Sequence, residues 1–214
     1  MEIPLYDRLK RKAHRDIALL QDRLVDAIYG IAPSSVMHGG TAIWRCHGAN
    51  RFSEDVDFYL KKEEWSEKRF RDAMSRAGLS IVKYKDTGNT IFAKISDGTS
   101  EARFEANFRM PEQKDILPIP YERADGGRID IFSLRPEAMI MEKAEAYLSR
   151  KLVRDIYDVY FLSSIASQAE MKEIIKKALD IGPADAENLS AIVYSGAVPS
   201  LDQMKTVLRS RFSL

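Results

Sequence analysis

Two glycines and two aspartates near the start of the chain constrain its fold more than any other feature. Gly39 and Gly40 follow a predicted short strand, residues 35–38, and a glycine turn after a strand lets the backbone approach a phosphate closely. Asp55 and Asp57 stand two positions apart in the next predicted strand, so both carboxylates project from the same face. The pattern predicts a strand, a glycine turn and a second strand that carries a pair of carboxylates.

The paired aspartates indicate a site for a divalent cation. Two carboxylates about 4 Å apart repel by about 4 kcal/mol at an effective dielectric constant of about 20, so both stay ionised at neutral pH only with a cation between them. Oxygen ligands suit Mg²⁺, which keeps several waters and shares its other positions with substrate phosphates. Solvated charges on an edge strand would give the same Asp-x-Asp pattern, but the glycine turn upstream favours the metal site.

Hydrophobic periodicity predicts an α+β protein. The chain divides into a core, residues 1–134, and a C-terminal helical region, residues 135–214, in which the helical pattern breaks near 182–183 and 196–199. Within the core, helices are predicted over 1–30, 41–46 and 63–77, and strands over 35–38, 56–60, 80–86, 90–96, 101–109 and 126–132.

Composition limits the choice of partners. The chain has 33 basic and 32 acidic residues and a net charge of +1, so no global field draws it to nucleic acid, and any RNA contact must be local. No apolar run approaches the length of a membrane span, which predicts a cytoplasmic protein with no membrane partner. The single cysteine, Cys46, excludes an internal disulfide and is expected to be a packing residue.

The glycine turn and the aspartate strand also resemble a known family. The segments His38-Gly-Gly-Thr-Ala42 and Arg51-Phe-Ser-Glu-Asp-Val-Asp-Phe58 are similar to the signature of the AbiEii/AbiGii-type nucleotidyltransferase toxins. This family is a branch of the DNA polymerase β-like nucleotidyltransferase superfamily. The resemblance implies a nucleotidyltransferase-type mixed sheet flanked by helices and followed by a C-terminal helical region.

A second match lies far downstream. Glu142-Lys-Ala144, followed by Arg150 and by Arg154-Asp-Ile-Tyr-Asp158, resembles the helical Lys and Arg-Asp-x-Tyr-Asp motifs of the same family. The two matches stand in the family's order, and together they span roughly residues 30 to 165.

The resemblance implies a role for each matched residue. Gly39, Gly40 and Thr41 would cradle the triphosphate of a nucleotide, and Asp55 and Asp57 would hold Mg²⁺.

Further residues would complete the site. Ser53 would lie beside the nucleotide, and Arg45 or Arg51 would stabilise charge on the phosphates. The helical motifs add three more site residues: Lys143, which would contact a phosphate, Asp155 and Asp158.

The superfamily carries a third carboxylate on a later strand, and Glu105 is its best candidate here, as a catalytic and metal-binding residue. Each of these assignments has a simpler alternative. Glu105 could be a solvated charge, Arg154 and Asp158 could form a surface ion-pair ladder, and Arg51 could pair with Glu54.

The function that the resemblance implies is Mg²⁺-dependent transfer of a nucleoside monophosphate from a nucleoside triphosphate to an acceptor, with tRNA favoured. The enzyme would act as the toxin of a toxin–antitoxin system, restrained by an antitoxin protein. Arg150, Lys151 and Arg154 would offer phosphate contacts. Two alternatives stay open: a nucleotidyltransferase with a small-molecule or protein acceptor, and a catalytically silent binding module of the same fold.

Overall fold

The computed structural model describes residues 3–167 and 171–214. The first two residues of the predicted core and residues 168–170 of the predicted helical region lie outside the described residues. The chain forms two compact units. The sheet unit comprises residues up to Cys46 together with Phe52–Ser133, and the helical unit comprises His47–Arg51 and Leu134–Leu214.

The sheet unit contains four helices and seven strands among its described residues. Two short 3₁₀ helices, Lys62–Glu64 and Gln113–Asp115, link some of them. The helices are α1 Leu5–Arg8, α2 Lys12–Ile31, α3 Gly39–Arg45 and α4 Glu67–Arg76. The strands are β1 Val36–His38, β2 Asp55–Tyr59, β3 Ser80–Asp86, β4 Thr90–Ser96, β5 Glu101–Asn107, β6 Ile116–Glu122 and β7 Arg128–Leu134.

The helical unit is formed by α5 Pro136–Arg150, α6 Val153–Leu162, α7 Lys172–Leu179, α8 Leu189–Ile192 and α9 Leu201–Arg211. Helix α5 packs against α6 and α7, and α9 packs against α6. Among the described residues of the whole chain, no helix combines the length and the apolar composition that a membrane crossing needs.

The seven strands form one mixed sheet in the order β3-β4-β5-β2-β1-β7-β6. Strand β2 lies near the middle, antiparallel to β1 and parallel to β5, and β1 is also parallel to β7. The mixed sheet with flanking helices, followed by C-terminal helices, confirms the predicted fold class.

One prediction about local structure was wrong, and one strand was missed. Residues 1–30 do not form one helix, because Leu9 is extended, Arg15 Nε donates to its carbonyl at 2.6 Å, and Tyr6 N donates to Ala124 O at 2.8 Å. Strand β6, which contains Pro118 and Pro120, was not predicted. Its edge position explains why it tolerates them, since an edge strand has amide positions that need no ladder partner.

One face of the sheet is covered by the core of the unit. Phe104 of β5 stacks on Phe70 of α4 with 5.3 Å between ring centroids, and Trp65 also stacks on Phe104. Along β5, Ala102, Phe104 and Ala106 are buried, whereas the residues between them are exposed. This alternation leaves the opposite face of β5 polar.

A buried ion pair joins α2 to α3 and to the turn after β6. Asp22 Oδ1 accepts from the guanidinium of Arg45 and from the Tyr121 hydroxyl, and Asp22 Oδ2 accepts from Ala124 N at 2.7 Å. Arg45 Nε donates to the Glu122 carbonyl at 2.6 Å. Because both charges are removed from water, each needs the other to offset the free-energy cost of its lost hydration.

We expect Asp22→Ala to lower the free energy of unfolding by about 3–5 kcal/mol, because it leaves the Arg45 charge buried without its partner. Asp26→Ala is the matched control, one turn later on α2, since its pair with Arg123 is partly exposed and worth only about 0–1 kcal/mol. Urea denaturation of both variants measures the difference. Equal losses in the two variants would contradict a structural role for the buried pair.

Candidate active site

Asp55 and Asp57 lie on one face of β2, where they alternate with the buried Val56 and Phe58. Asp57 lies opposite His38 of β1 in the antiparallel pairing and beside Glu105 of β5 in the parallel pairing. Both aspartates are therefore held in the middle of the sheet, next to the turn that follows β1.

The turn at Gly39 closes against Asp57. Gly39 has a φ angle of 72°, a left-handed conformation that favours glycine. A Cβ atom built on Gly39 would lie 2.1 Å from Asp57 Oδ2, so no other residue type fits at this position without moving the carboxylate. Glycine is needed here for two independent reasons, backbone conformation and close approach.

The next residues of the turn bind the backbone of the aspartate strand. The buried Thr41 hydroxyl donates to the carbonyl of Asp55, and Gln21 Nε2 donates to the Ser53 carbonyl at 2.9 Å. Gly40 is also buried. Thr41 and Gln21 therefore fix the position of the strand, whereas the predicted nucleotide contacts of Gly40, Thr41 and Ser53 stay predictions.

Asp55 forms an ion pair that the sequence analysis missed. Arg103 Nε on β5 donates to Asp55 Oδ1 at 2.6 Å, and the two residues are cross-strand neighbours in the parallel pairing. The strand alternation contains the signal, because Arg103 shares the exposed face of β5 with Glu105. In this structure the guanidinium supplies the positive charge that Asp55 needs.

A cavity of about 570 Å³ opens on this face of the sheet unit. Its walls combine carboxylates, cations and one exposed aromatic ring. Its charged residues are Asp55, Asp57, Glu105, Lys83, Lys85, Lys94 and Arg103, and Phe92 contributes the ring.

The donor set fits a hard divalent cation. Within residues 3–167 and 171–214, no three His, Cys, Asp or Glu side chains cluster closely enough to hold one ion. Asp55 and Asp57 would thus be two protein ligands, and water and substrate phosphates would fill the other positions, as is usual for Mg²⁺. The role of Glu105 as a third ligand stays a prediction.

Arg45 lies in the buried ion pair with Asp22 and does not line the cavity. Its side chain is fully buried and its guanidinium stacks over the ring of Tyr121 at 4.6 Å from the centroid. This arrangement gives Arg45 a structural role and offers no support for its predicted contact with a nucleotide.

The thiol of Cys46 is protonated at neutral pH, because burial raises its pKa to about 12. A protonated thiol is a poor nucleophile. The structure therefore agrees with the expected packing role.

The predicted residues of the helical unit form a buried charge cluster. Asp158 accepts two hydrogen bonds from Arg51, at 2.7 and 2.8 Å, and lies 3.2 Å from Lys143 Nζ. Asp155 accepts two from Arg150, at 2.7 and 2.6 Å, and lies 3.9 Å from Lys143 Nζ. Lys143 is thus shared between the two carboxylates.

This cluster excludes two of the simpler alternatives. Asp155 and Asp158 are completely buried, so they do not form a surface ladder with Arg154. Arg51 pairs with Asp158 and so is committed within the cluster, not to Glu54. The predicted contributions of Lys143, Asp155, Asp158 and Arg51 to catalysis or nucleotide binding stay predictions.

The charges of the cluster set the protonation of Asp158. Burial alone would raise the pKa of this carboxyl, but the cations of Arg51 and Lys143 outweigh burial and hold its pKa below the usual value. The carboxylate is therefore ionised at neutral pH.

Solved structures of other proteins have a similar fold. The structure of JHP933 from Helicobacter pylori has 20% sequence identity and a TM-score of 0.66, and the match covers 95% of this chain and 91% of that one. MenT4, a nucleotidyltransferase toxin from Mycobacterium tuberculosis H37Rv, has 17% identity and a TM-score of 0.56, with coverage of 94% and 83%. At these identities the likeness shows the fold. A search of curated protein sequences finds no significant match.

The match to a family model identifies the chain as a nucleotidyltransferase. The family described as nucleotidyl transferase AbiEii toxin, type IV toxin–antitoxin system, matches residues 19–181. The chain belongs to this family, which confirms the predicted family and enzyme class. A toxin–antitoxin family implies a nucleotide substrate and an antitoxin partner.

We expect Gly39→Ala to lower the rate of nucleotidyl transfer by about 100-fold or more, because the new methyl group displaces Asp57. Gly98→Ala is the matched control, since Gly98 also has a left-handed φ, 91°, but a Cβ there meets nothing within 4 Å. Both variants should lose about 1–2 kcal/mol of stability from the backbone alone. Equal activity in the two variants would show that the contact with Asp57 is unimportant.

The pKa of Asp158 predicts an acid-dependent contribution to stability. A carboxyl whose pKa is lower in the folded state stabilises the fold above the unfolded pKa, and this contribution is lost as pH falls through the folded pKa. We expect Asp158→Asn to cost about 3–5 kcal/mol at neutral pH and progressively less below about pH 4. Asp180→Asn, on an exposed residue of the same unit, is the control. Urea titrations across this pH range would contradict the assignment if the cost of Asp158→Asn were constant.

Proposed function

We propose that the chain transfers a nucleoside monophosphate from a nucleoside triphosphate to tRNA in a Mg²⁺-dependent reaction, and that it thereby arrests growth unless an antitoxin restrains it. The observation that carries this proposal is the contact of Gly39 with Asp57, beside Asp55 on the same face of β2. It combines a pair of carboxylates with a turn in which the backbone itself can approach a phosphate.

Different residues of the sheet unit would bind the metal ion and the triphosphate. Asp55 and Asp57 would hold Mg²⁺, which when bound neutralises charge on the phosphates and aligns the attacking hydroxyl group. The turn at Gly39 and Gly40 would take the triphosphate. Arg103, which pairs with Asp55, would be released as the cation takes its place, and its guanidinium could then bind a phosphate.

Local charge supports an RNA acceptor. The net charge of +1 provides no general attraction, but Lys83, Lys85, Lys94 and Arg103 all line the cavity that contains the aspartates. Cations in this position suit the phosphates of a nucleic acid chain. A small acceptor would not need so many of them.

Labelled nucleoside triphosphates, supplied one at a time with total tRNA and Mg²⁺, test the proposal. We expect labelled tRNA, less of it at high salt, and none with excess chelator or with Asp57→Asn. Asn is nearly the same size as Asp and Asp57 is only partly buried, so this variant removes a carboxylate that would bind the metal and should leave the fold intact. Asp130→Asn, on an exposed position of β7, is the matched control and should retain full activity.

Other outcomes separate the alternatives. Label on a protein or a small molecule, with all four nucleotides failing on tRNA, would identify a different acceptor. Nucleotide binding without transfer to any acceptor would indicate a silent binding module. Full activity of Asp57→Asn would refute the metal site, and harmless expression of an active enzyme would refute the role as a toxin.

A further inference from the structure

The polar face of the sheet unit is arranged in two cross-strand rows that begin at Asp55 and Asp57. In the first row, Asp55 of β2 lies beside Arg103 of β5, Arg103 lies opposite Lys94 of β4, and Lys94 lies opposite Lys83 of β3. Adjacent strands are about 4.8 Å apart, so the row extends roughly 14 Å from Asp55. Three cations in line therefore lead away from one of the aspartates.

The second row runs parallel to the first. Asp57 lies beside Glu105 of β5, Glu105 lies opposite Phe92 of β4, and Phe92 lies opposite Lys85 of β3. Because the row members are two residues from those of the first row on every strand, all their side chains share one face. Beyond the aspartates, the two rows form a patch of three lysines and one arginine around the ring of Phe92, with Glu105 on the side of the aspartates.

The outer part of this patch is available to a ligand. Lys94 pairs with Glu101 and Arg103 pairs with Asp55, but within residues 3–167 and 171–214 no carboxylate lies within salt-bridge distance of Lys83 or Lys85. Phe92 is 42% exposed, whereas Phe104, the aromatic residue of the neighbouring strand β5, is buried in the core. An exposed ring beside a row of cations combines a stacking surface with phosphate-binding groups.

We propose that this patch binds a single-stranded segment of the RNA acceptor, with a base stacked on Phe92 and backbone phosphates on Lys83 and Lys85. The inference rests on the proposed function and names the surface that delivers the acceptor to the aspartates. A single strand fits better than a duplex, because only unpaired bases present their faces to an aromatic side chain.

The position of the patch separates it from the nucleotide. The glycine turn that would take the triphosphate contacts Asp57 from the β1 side of β2, whereas both rows leave β2 on the β5 side. A triphosphate at the turn would lie on the β1 side of β2, away from the ring on β4 and the cations on β3. An acceptor strand that approaches the same aspartates from the other side would use all of them.

Fluorescence anisotropy tests this inference. It measures the binding of an end-labelled single-stranded RNA of about eight nucleotides to the protein in the absence of nucleoside triphosphate. We expect Phe92→Ala to raise the dissociation constant about 5- to 100-fold, and Phe92→Tyr to bind nearly as well as the wild type because it keeps the ring. The same RNA in a duplex should be insensitive to Phe92→Ala.

The lysines should affect the salt dependence of RNA binding. Lys83→Ala and Lys85→Ala should each reduce the slope of log affinity against log salt by about 0.7, the value for one phosphate contact of a single strand. Lys68→Ala is the matched control, because Lys68 is an exposed lysine on α4, which packs against the opposite face of the sheet, and it should leave the slope unchanged. Thermal melting of each variant excludes unfolding as the cause.

Several results would overturn the inference. No binding of single-stranded RNA by the wild type, or equal binding by the wild type, Phe92→Ala and the lysine variants, would show that the patch is not an acceptor surface. Variants that weaken nucleotide binding and spare RNA binding would assign the patch to the triphosphate. These measurements need no turnover, so they are independent of the tRNA labelling that decides the proposed function.

Discussion

The close approach of Gly39 to Asp57 is the constraint on which the site depends. It requires that β1 and β2 pair with His38 opposite Asp57, because only this register places the turn against the carboxylate. A slip by one residue would turn the aspartates into the core and Val56 and Phe58 into solvent. The burial of β2 and the geometry of the turn therefore select the same register.

Two Asp–Arg ion pairs in the sheet unit show that burial determines whether a ligand can replace one partner of the pair. Asp22 and Arg45 are removed from water, so each charge is costly without the other and the pair is permanent. Asp55 and Arg103 remain partly exposed, and a pair of this kind contributes only about 0–1 kcal/mol. A divalent cation can replace Arg103 at little cost, whereas no ligand could displace Arg45.

Local patterns predicted the elements whose contacts are local. The bounds predicted for β3 and β4 are those of the structure, because a short turn joins the two strands and their alternation is regular. Long-range contacts explain what was missed. The break after α1 depends on the bond of Tyr6 to Ala124, and the burial of Asp158 depends on Arg51, which is 107 residues away in sequence. Neither partner can be identified from spacing.

The same limit applies to the polar face of the sheet. The sequence predicted that Arg103 and Glu105 share one face of β5, but it could not predict which strands lie on either side. The strand order places β2 on one side and β4 on the other, and this alone aligns the aspartates with Phe92 and the lysines. A chain with a net charge of +1 can thus concentrate its cations where a phosphate backbone would need them, since selective attraction depends on their arrangement and not on their number.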